Sequence, residues 1–156
     1  MRRLLPLVVA ALIAIPAAWS QTQNAKRGMQ MAGIAFYNLE NLFDTIPNNP
    51  EGRDIEYTPG GPKKWDSRKY NDKLDNLSYA ISQFTSPTTP NGPAIIGVSE
   101  IENRTVLEDL VARPALRPWN LQIVHHDSPD ARGVDVGMLY NPRYFKVENV
   151  TNHRLT

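Results

Sequence analysis

The chain has 156 residues, enough for one domain, and its 17 basic and 16 acidic side chains give a formal net charge of +1. A protein that binds nucleic acid by neutralising many phosphates has a marked basic excess, so this composition argues against a general polyanion binder. The sequence contains no cysteine, which excludes disulfide bonds, thiolate zinc sites and cysteine nucleophiles.

Residues 1–20 have the features of a secretory signal peptide. Arg2 and Arg3 precede an apolar run from Leu4 to Ala14, and small residues follow before Gln21. The run is too short to span a bilayer, so no stable membrane insertion is expected. Removing these residues takes away two arginines and leaves 15 basic against 16 acidic side chains, a charge of −1. We therefore predict a secreted or periplasmic protein.

The segment after the signal peptide divides into a leader and a domain. Residues 21–31 form a polar leader, and the predicted domain covers residues 32–156. Residues 32–37 predict a strand that runs into a segment rich in oxygen ligands: Asn38, Glu40, Asn41 and Asp44. Carboxylate and amide oxygens suit a hard cation such as Mg²⁺ or Ca²⁺. Asn and Asp are also common turn residues, so a simple turn is the alternative.

A long loop and an amphipathic helix follow. Residues 45–64 contain four prolines and three glycines, and long ordered loops of this kind often bind ligands or partners. Apolar residues then recur at helical spacing, which predicts a helix with Asp66 or Ser67 as its N-cap: Tyr70, Leu74, Leu77, Ile81 and Phe84. The charged residues between them, including Lys69 and Lys73, predict a solvated helix face.

A second strand delivers a carboxylate to the start of a second helix. Residues 94–98 form a short apolar run, and Glu100 follows it directly. Asn103 can cap a helix whose apolar residues from Val106 to Val111 lie on one face. In open α/β sheets such a strand end is the usual place of a ligand site. The alternative is that Glu100 is a solvated acid near a helix start.

Three glycosylation sequons occur, at Asn76, Asn103 and Asn149. A glycan on Asn103 would crowd Glu100, so a functional Glu100 implies that the sequons are unused. This favours a bacterial exported protein.

The last third of the chain predicts strands. Residues 121–126 alternate as a strand does, and the loop 127–133 leads into a strand that begins at Val134. A further strand is predicted at residues 146–150. Strand, helix, strand, helix and then consecutive strands indicate a layered α/β fold.

Three blocks together resemble the endonuclease/exonuclease/phosphatase superfamily, which has the DNase I-like fold. They are residues 35–44 (AFYNLENLFD), 95–101 (IIGVSEI) and 132–140 (RGVDVGMLY). Their order and their placement at strand ends both match, and the resemblance covers about residues 31–150. It implies a four-layered α/β/β/α sandwich that hydrolyses phosphodiester or phosphomonoester bonds, with nucleic acid among the substrates. The implied cofactor is Mg²⁺, with Mn²⁺ or Ca²⁺ as alternatives.

The resemblance also implies roles for individual residues. Glu100 matches the principal metal-binding glutamate, Asn38 the asparagine near metal and phosphate, and Glu40 a position that is acidic in several members. Arg132 is our candidate for a phosphate contact, because its planar guanidinium matches phosphate geometry. Asp135 is either a polar neighbour of this site or one partner of a salt bridge.

Later motifs of the family are absent from the sequence. No Gly-Asp-x-Asn or Ser-Asp-His motif occurs, so His125, His126 and His153 are not expected to be catalytic. We therefore expect the N-terminal half of the sandwich, a chain that stops before the later catalytic motifs and is inactive alone. The alternative function is a non-catalytic exported domain that binds a partner through the loop at residues 45–64.

Overall fold

The computed structural model describes residues 31–153. The predicted signal peptide and nearly all of the predicted leader lie outside the described residues, so both stay predictions. The described part contains a four-stranded sheet, whose strands are β1 (Ile34–Leu42), β2 (Ile95–Ile101), β3 (Gln122–His126) and β4 (Asp135–Tyr140). Their order across the sheet is β1-β2-β4-β3. β1 runs parallel to β2, whereas β4 runs antiparallel to both β2 and β3.

The strands confirm four of the five predicted ones. β1 and β2 continue beyond the predicted ends, so that Asn38, Glu40 and Glu100 lie inside strands instead of following them. Residues 146–150 form no strand, and that prediction is wrong. A strand returning from the turn after β4 would need a free edge of β4, but β2 and β3 already pair with both of its edges.

Two helices cover one face of the sheet. The helices are α1 (Ser67–Ser82) and α2 (Arg104–Val111). The predicted caps form, because the Asp66 side chain accepts a hydrogen bond from Lys69 N and the Asn103 side chain accepts one from Val106 N. Short 3₁₀ turns occur at Ile55–Tyr57 and Arg117–Trp119. Between residues 31 and 153, no helix has the length and apolar character that crossing a membrane requires.

The hydrophobic core lies between the helices and this covered face. Its side chains come from α1, α2 and alternate strand positions, among them Leu39, Leu74, Ile96, Val98, Leu107 and Leu139. The opposite face, here called the open face, carries apolar side chains that remain exposed, including Ile34 at 76%, Phe36 at 70% and Val136 at 61%. The strand predicted to begin at Val134 begins one residue later, at Asp135, and Val134 is buried.

Candidate active site

Two adjacent irregularities shape one end of the sheet. Asn38 pairs with Ser99 and Leu42 pairs with Ile101, and the register shifts between these two pairings. The buried positions are consequently three residues apart in each strand: Leu39 and Leu42 in β1, Val98 and Ile101 in β2. In a regular strand they would be two apart. Each strand therefore contains extra residues that are turned out of the core while its last apolar residue stays inside it.

The residues turned out of the core have left-handed backbone conformations. Their φ angles are 53° at Glu40, 58° at Asn41 and 58° at Glu100. Asn tolerates this conformation, but for a residue such as Glu it costs about 1–3 kcal/mol and persists only where the surroundings impose it. Strain of this kind concentrates at functional sites. Two of the predicted metal ligands thus stand on strained bulges of neighbouring strands.

Glu100 is partly exposed and forms an ion pair with Arg132. Arg132 Nη1 lies 3.3 Å from Glu100 Oε1, and the glutamate side chain is 22% exposed. Arg132 is also held by Asp130, whose Oδ2 accepts from Nη2 at 2.9 Å. The pKa of Arg132 is raised, first by the hydrogen bond to Asp130 and then by the one to Glu100. The guanidinium is 59% exposed, so it remains accessible to a phosphate.

Asn38 and Glu40 lie on the neighbouring strand. Asn38 Oδ1 accepts a hydrogen bond from Glu40 N at 2.7 Å, which closes a local turn around the bulge. Asn38 lies opposite Ser99, directly before Glu100. The side chain of Glu40 is exposed and lines a groove of about 470 Å³ against α1. The structure thus brings Asn38, Glu100 and Arg132 to one place and sets Glu40 at its border.

Lys73 is part of this site, although its position in the helix predicted a solvated side chain. Its Nζ donates to the Glu40 carbonyl oxygen at 2.5 Å and to the Asn41 carbonyl oxygen at 3.3 Å. Burial lowers the pKa of Lys73, and the charges of Glu40 and Glu100 partly offset this effect. The available sequence signal was its place beside the apolar stripe of α1, directly before Leu74.

Asp44 does not join the predicted group of oxygen ligands. It is 7% exposed, and its carboxylate accepts hydrogen bonds from Ile46 N at 2.6 Å and Asn103 Nδ2 at 3.4 Å. Its own N–H donates to Glu102 Oε2 at 2.8 Å. Asp44 therefore joins the end of β1 to the start of α2 and has a structural role.

The long loop at residues 45–64 lies against the candidate site. Asp54 orders the loop, since its Oδ2 accepts hydrogen bonds from the N–H groups of Asn48 and Asn49, each at 2.7 Å. Arg53 Nη1 donates to the Asp130 carbonyl oxygen at 2.9 Å. A cavity of about 370 Å³ separates this loop from the rest of the site, and it is lined by Asn41, Phe43, Arg53, Glu56, Tyr57, Lys63, Ala131 and Arg132.

A second cluster of titratable groups lies on β3 and β4. Ligand atoms of His125, Asp127 and Asp135 lie within 4.8 Å of one another. His125 Nε2 is 2.8 Å from Asp135 Oδ2, and the two side chains are only 7% and 8% exposed. Asp135 Oδ1 accepts from Ser128 N at 2.7 Å. Both oxygens of Asp135 have partners, so of its two predicted roles the structure favours pairing, here with His125.

The comparisons with known proteins place the chain in a family. The model of a family described as "Endonuclease/Exonuclease/phosphatase family" matches residues 33–156. No curated protein and no solved structure matches the chain. The matched range contains every residue of the candidate site and nearly the whole described part of the chain.

Proposed function

Because the chain belongs to the endonuclease/exonuclease/phosphatase family, we propose that it is an exported, Mg²⁺-dependent phosphoesterase whose metal-binding edge is formed by Glu100, Asn38 and Glu40. The family indicates hydrolysis of phosphate esters, and the described residues form a helical layer and a sheet of the DNase I-like α/β fold. The metal, the residue roles and the export are the proposal.

The observation that carries the proposal is the strained, accessible carboxylate of Glu100. Unlike the buried Asp135, Glu100 stands on a left-handed bulge and is partly exposed, and within residues 31–153 its carboxylate has one hydrogen-bond partner, Arg132 at 3.3 Å. Asn38 contributes an amide oxygen on the neighbouring strand. This set of oxygen donors fits a hard cation, for which Mg²⁺ is the first choice and Mn²⁺ or Ca²⁺ the alternatives.

Each residue of the candidate site would have its own role in hydrolysis. Glu100 and Asn38 would hold the cation, and Glu40 would contribute charge at its border. Bound there, the cation supplies neutralisation of phosphate oxygens and of the charge that develops during in-line attack by water. Arg132 would orient the phosphate through its exposed guanidinium. Among residues 31–153, no side chain is assigned the role of general base.

Cation binding is the direct test, because it requires only residues of this chain. We would titrate the full chain with Mn²⁺, followed by electron paramagnetic resonance, and compete the bound Mn²⁺ with Mg²⁺. Glu100→Gln should weaken binding at least about tenfold, since the amide keeps the shape but loses the charge. Glu108→Gln is the matched control, because Glu108 is an exposed acid on α2 that pairs with Arg104. No saturable binding by the wild type, or binding by Glu100→Gln within twofold of it, would contradict the proposal.

Hydrolysis is tested with a panel of DNA, RNA, phospholipid head groups and small phosphate esters. In an active preparation Glu100→Ala should remove nearly all turnover, and activity within twofold of the wild type at saturating Mg²⁺ would reject the assignment. A chain that binds neither metal nor substrate, but captures a partner through residues 45–64, would support the non-catalytic alternative. That loop borders the candidate site, so both functions would use the same surface.

Export is tested separately. If residues 1–20 are a signal peptide, the protein isolated outside the cytoplasm should begin near Gln21. Recovery of soluble cytoplasmic protein with Met1 intact would contradict the proposed secreted or periplasmic location.

A further inference from the structure

A single ammonium group connects α1 to the bulge in β1. Lys73 Nζ donates to the carbonyl oxygens of Glu40 and Asn41, at 2.5 Å and 3.3 Å. These are the two consecutive left-handed residues of β1. The bulge disturbs the regular ladder at this point, and backbone carbonyl groups that leave a ladder need another donor. Lys73 provides that donor from the neighbouring helix.

The bulge in β1 is joined to the one in β2 by the residues that follow it. Phe43 N donates to the Asn41 carbonyl oxygen at 3.1 Å, and Glu102 N donates to the Leu42 carbonyl oxygen at 3.0 Å. Leu42 and Ile101 are register partners in the core. A change in the conformation of Glu40 and Asn41 would therefore be transmitted through this pairing to the backbone at Glu100.

We propose that Lys73 is a positioning residue that holds both bulges in the shape that presents Glu100, Asn38 and Glu40 to a divalent cation. The cation part of this inference rests on the proposed function, whereas the backbone part does not. Lys73 itself is not a ligand, because its ammonium group is a donor and bears a positive charge.

Electrostatics alone would give Lys73 the opposite effect. A positive charge near Glu40 and Glu100 repels a cation, so removing the charge without moving the backbone should tighten cation binding. Loss of positioning should weaken binding, typically tenfold or more when an outer partner of the ligands is removed. The sign of the change therefore separates the two roles.

The experiment compares four forms of the full chain: wild type, Lys73→Met, Lys73→Arg and Lys69→Met. Lys69 is the matched control, because it lies one turn earlier on α1 and lines the same groove, but its Nζ donates to the Lys63 carbonyl oxygen at 2.9 Å and to neither carbonyl of the bulge. We expect Lys73→Met to weaken Mn²⁺ binding about tenfold. Lys73→Arg should restore most of the loss, and Lys69→Met should stay within twofold of the wild type.

A second measurement needs no metal. Amide hydrogen exchange in EDTA should be faster at Phe43 and Glu102 in Lys73→Met, normal in Lys69→Met and largely restored in Lys73→Arg. A role in general helix packing would instead lower the urea midpoint without changing the Mn²⁺ affinity of the folded protein. Unchanged or tighter Mn²⁺ binding by Lys73→Met, or unchanged exchange at both amides, would overturn the inference.

Two further outcomes are also decisive. If the wild type binds no Mn²⁺, the proposed function fails and the exchange measurement alone decides whether Lys73 holds the bulges. If Lys73→Met does not fold, Lys73→Gln replaces it, because the neutral amide keeps a donor. If folded Lys73→Gln shows the same exchange and Mn²⁺ binding as the wild type, the ammonium group is not required and the inference is overturned.

Discussion

Glu100 and Asp135 lie at the same end of neighbouring strands, yet their surroundings are opposite. Asp135 is the register partner of Ile101, the residue after Glu100. The Asp135 side chain is 8% exposed and bonded to His125 and to Ser128 N, and its φ angle is not positive. Glu100 is more exposed, has one long contact to Arg132 and has a positive φ angle. Carboxylates of the same intrinsic chemistry are thus used for structure in one place and left accessible in the other.

The comparison shows which physical signs separate the two uses. Asp135 is buried on the covered face, and both of its carboxylate oxygens already have partners. A cation bound there would have to displace these partners. Glu100 has a strained backbone and a carboxylate whose hydrogen bonding is incomplete. A bound ligand can therefore add stabilising contacts there. Closely spaced acidic and histidine side chains occur around Asp135, whereas backbone strain occurs at Glu100.

Alanine variants of Asp135 and Glu100 should differ most in stability. Asp135→Ala should lower the free energy of unfolding by about 3 kcal/mol, because it removes one partner of a buried pair. Glu100→Ala should change it by less than about 1 kcal/mol, since it removes a partly exposed and loosely held acid. Urea denaturation measures both. For Mn²⁺ affinity the ranking should reverse, and an equal loss of stability in the two variants would show that Glu100 is also structural.

Glu102 is a third acid at the same end of the sheet, and its burial makes stability depend on pH. It is 8% exposed, and burial raises its pKa to about 7, with the charges of Asp44 and Asp54 adding to the effect. Between its ordinary pKa of 4.5 and this value, the folded protein holds more protons than the unfolded chain. The stabilising contribution of Glu102 is therefore fully present below pH 4.5 and is lost as the pH rises through 7.

Glu102→Gln should remove this dependence. The amide oxygen can still accept from Asp44 N, as Glu102 Oε2 does now at 2.8 Å, and no carboxylate has to ionise. We expect the variant to be more stable than the wild type at pH 8 by about 1–2 kcal/mol and similar to it at pH 4.5. Urea denaturation in EDTA at the two pH values measures this, and a difference that does not change with pH would contradict the assigned burial effect.

Much of the scaffold followed from sequence pattern, because local rules determine it. The apolar spacing of α1 and the caps at Asp66 and Asn103 require only near neighbours in the chain, and the structure confirms them. The predicted strand at residues 146–150 required knowledge of which edges of β4 were free, a property of the whole sheet. That long-range constraint is why this prediction was wrong.

The sequence predicted that Glu100 and Asn38 lie near one another, but it predicted neither the geometry around them nor the place of Lys73. Glu100 and Asn38 were identified at strand ends, and they lie at one end of adjacent strands. The bulges could not be foreseen, because they arise from the pairing of Leu42 with Ile101 across the sheet. Lys73 was assigned to solvent for the same reason, since only the bulge gives its ammonium group two carbonyl partners.

Alanine substitutions at two glycines test the covered face against the open face, with a smaller expected change in stability. A Cβ atom at Gly137 would lie 3.0 Å from Leu107 Cδ1 and 3.2 Å from Ile101 Cδ1, inside the core. At Gly97 it would lie 2.7 Å from Phe36 Cδ2, on the open face. Gly137→Ala should cost about 1 kcal/mol through overpacking. Gly97→Ala should cost little, because the exposed Phe36 ring can rotate away, and thermal unfolding of both variants measures the difference.

The smallest effect on stability and binding is expected at Arg132, which contacts Glu100. Arg132 is exposed and its partner Asp130 is half-buried, so Arg132→Ala should change the urea midpoint little. It removes a cation that occupies Glu100 Oε1 at 3.3 Å, so Mn²⁺ binding should become tighter, by about twofold for an exposed pair. The affinity for inorganic phosphate in the presence of Mn²⁺ should fall instead, because the guanidinium is lost. His125→Ala is the contrasting variant, since it should lower the midpoint without affecting either ligand. Weaker Mn²⁺ binding by Arg132→Ala would mean that Arg132 orients Glu100 for the metal and does not compete with the metal for its carboxylate.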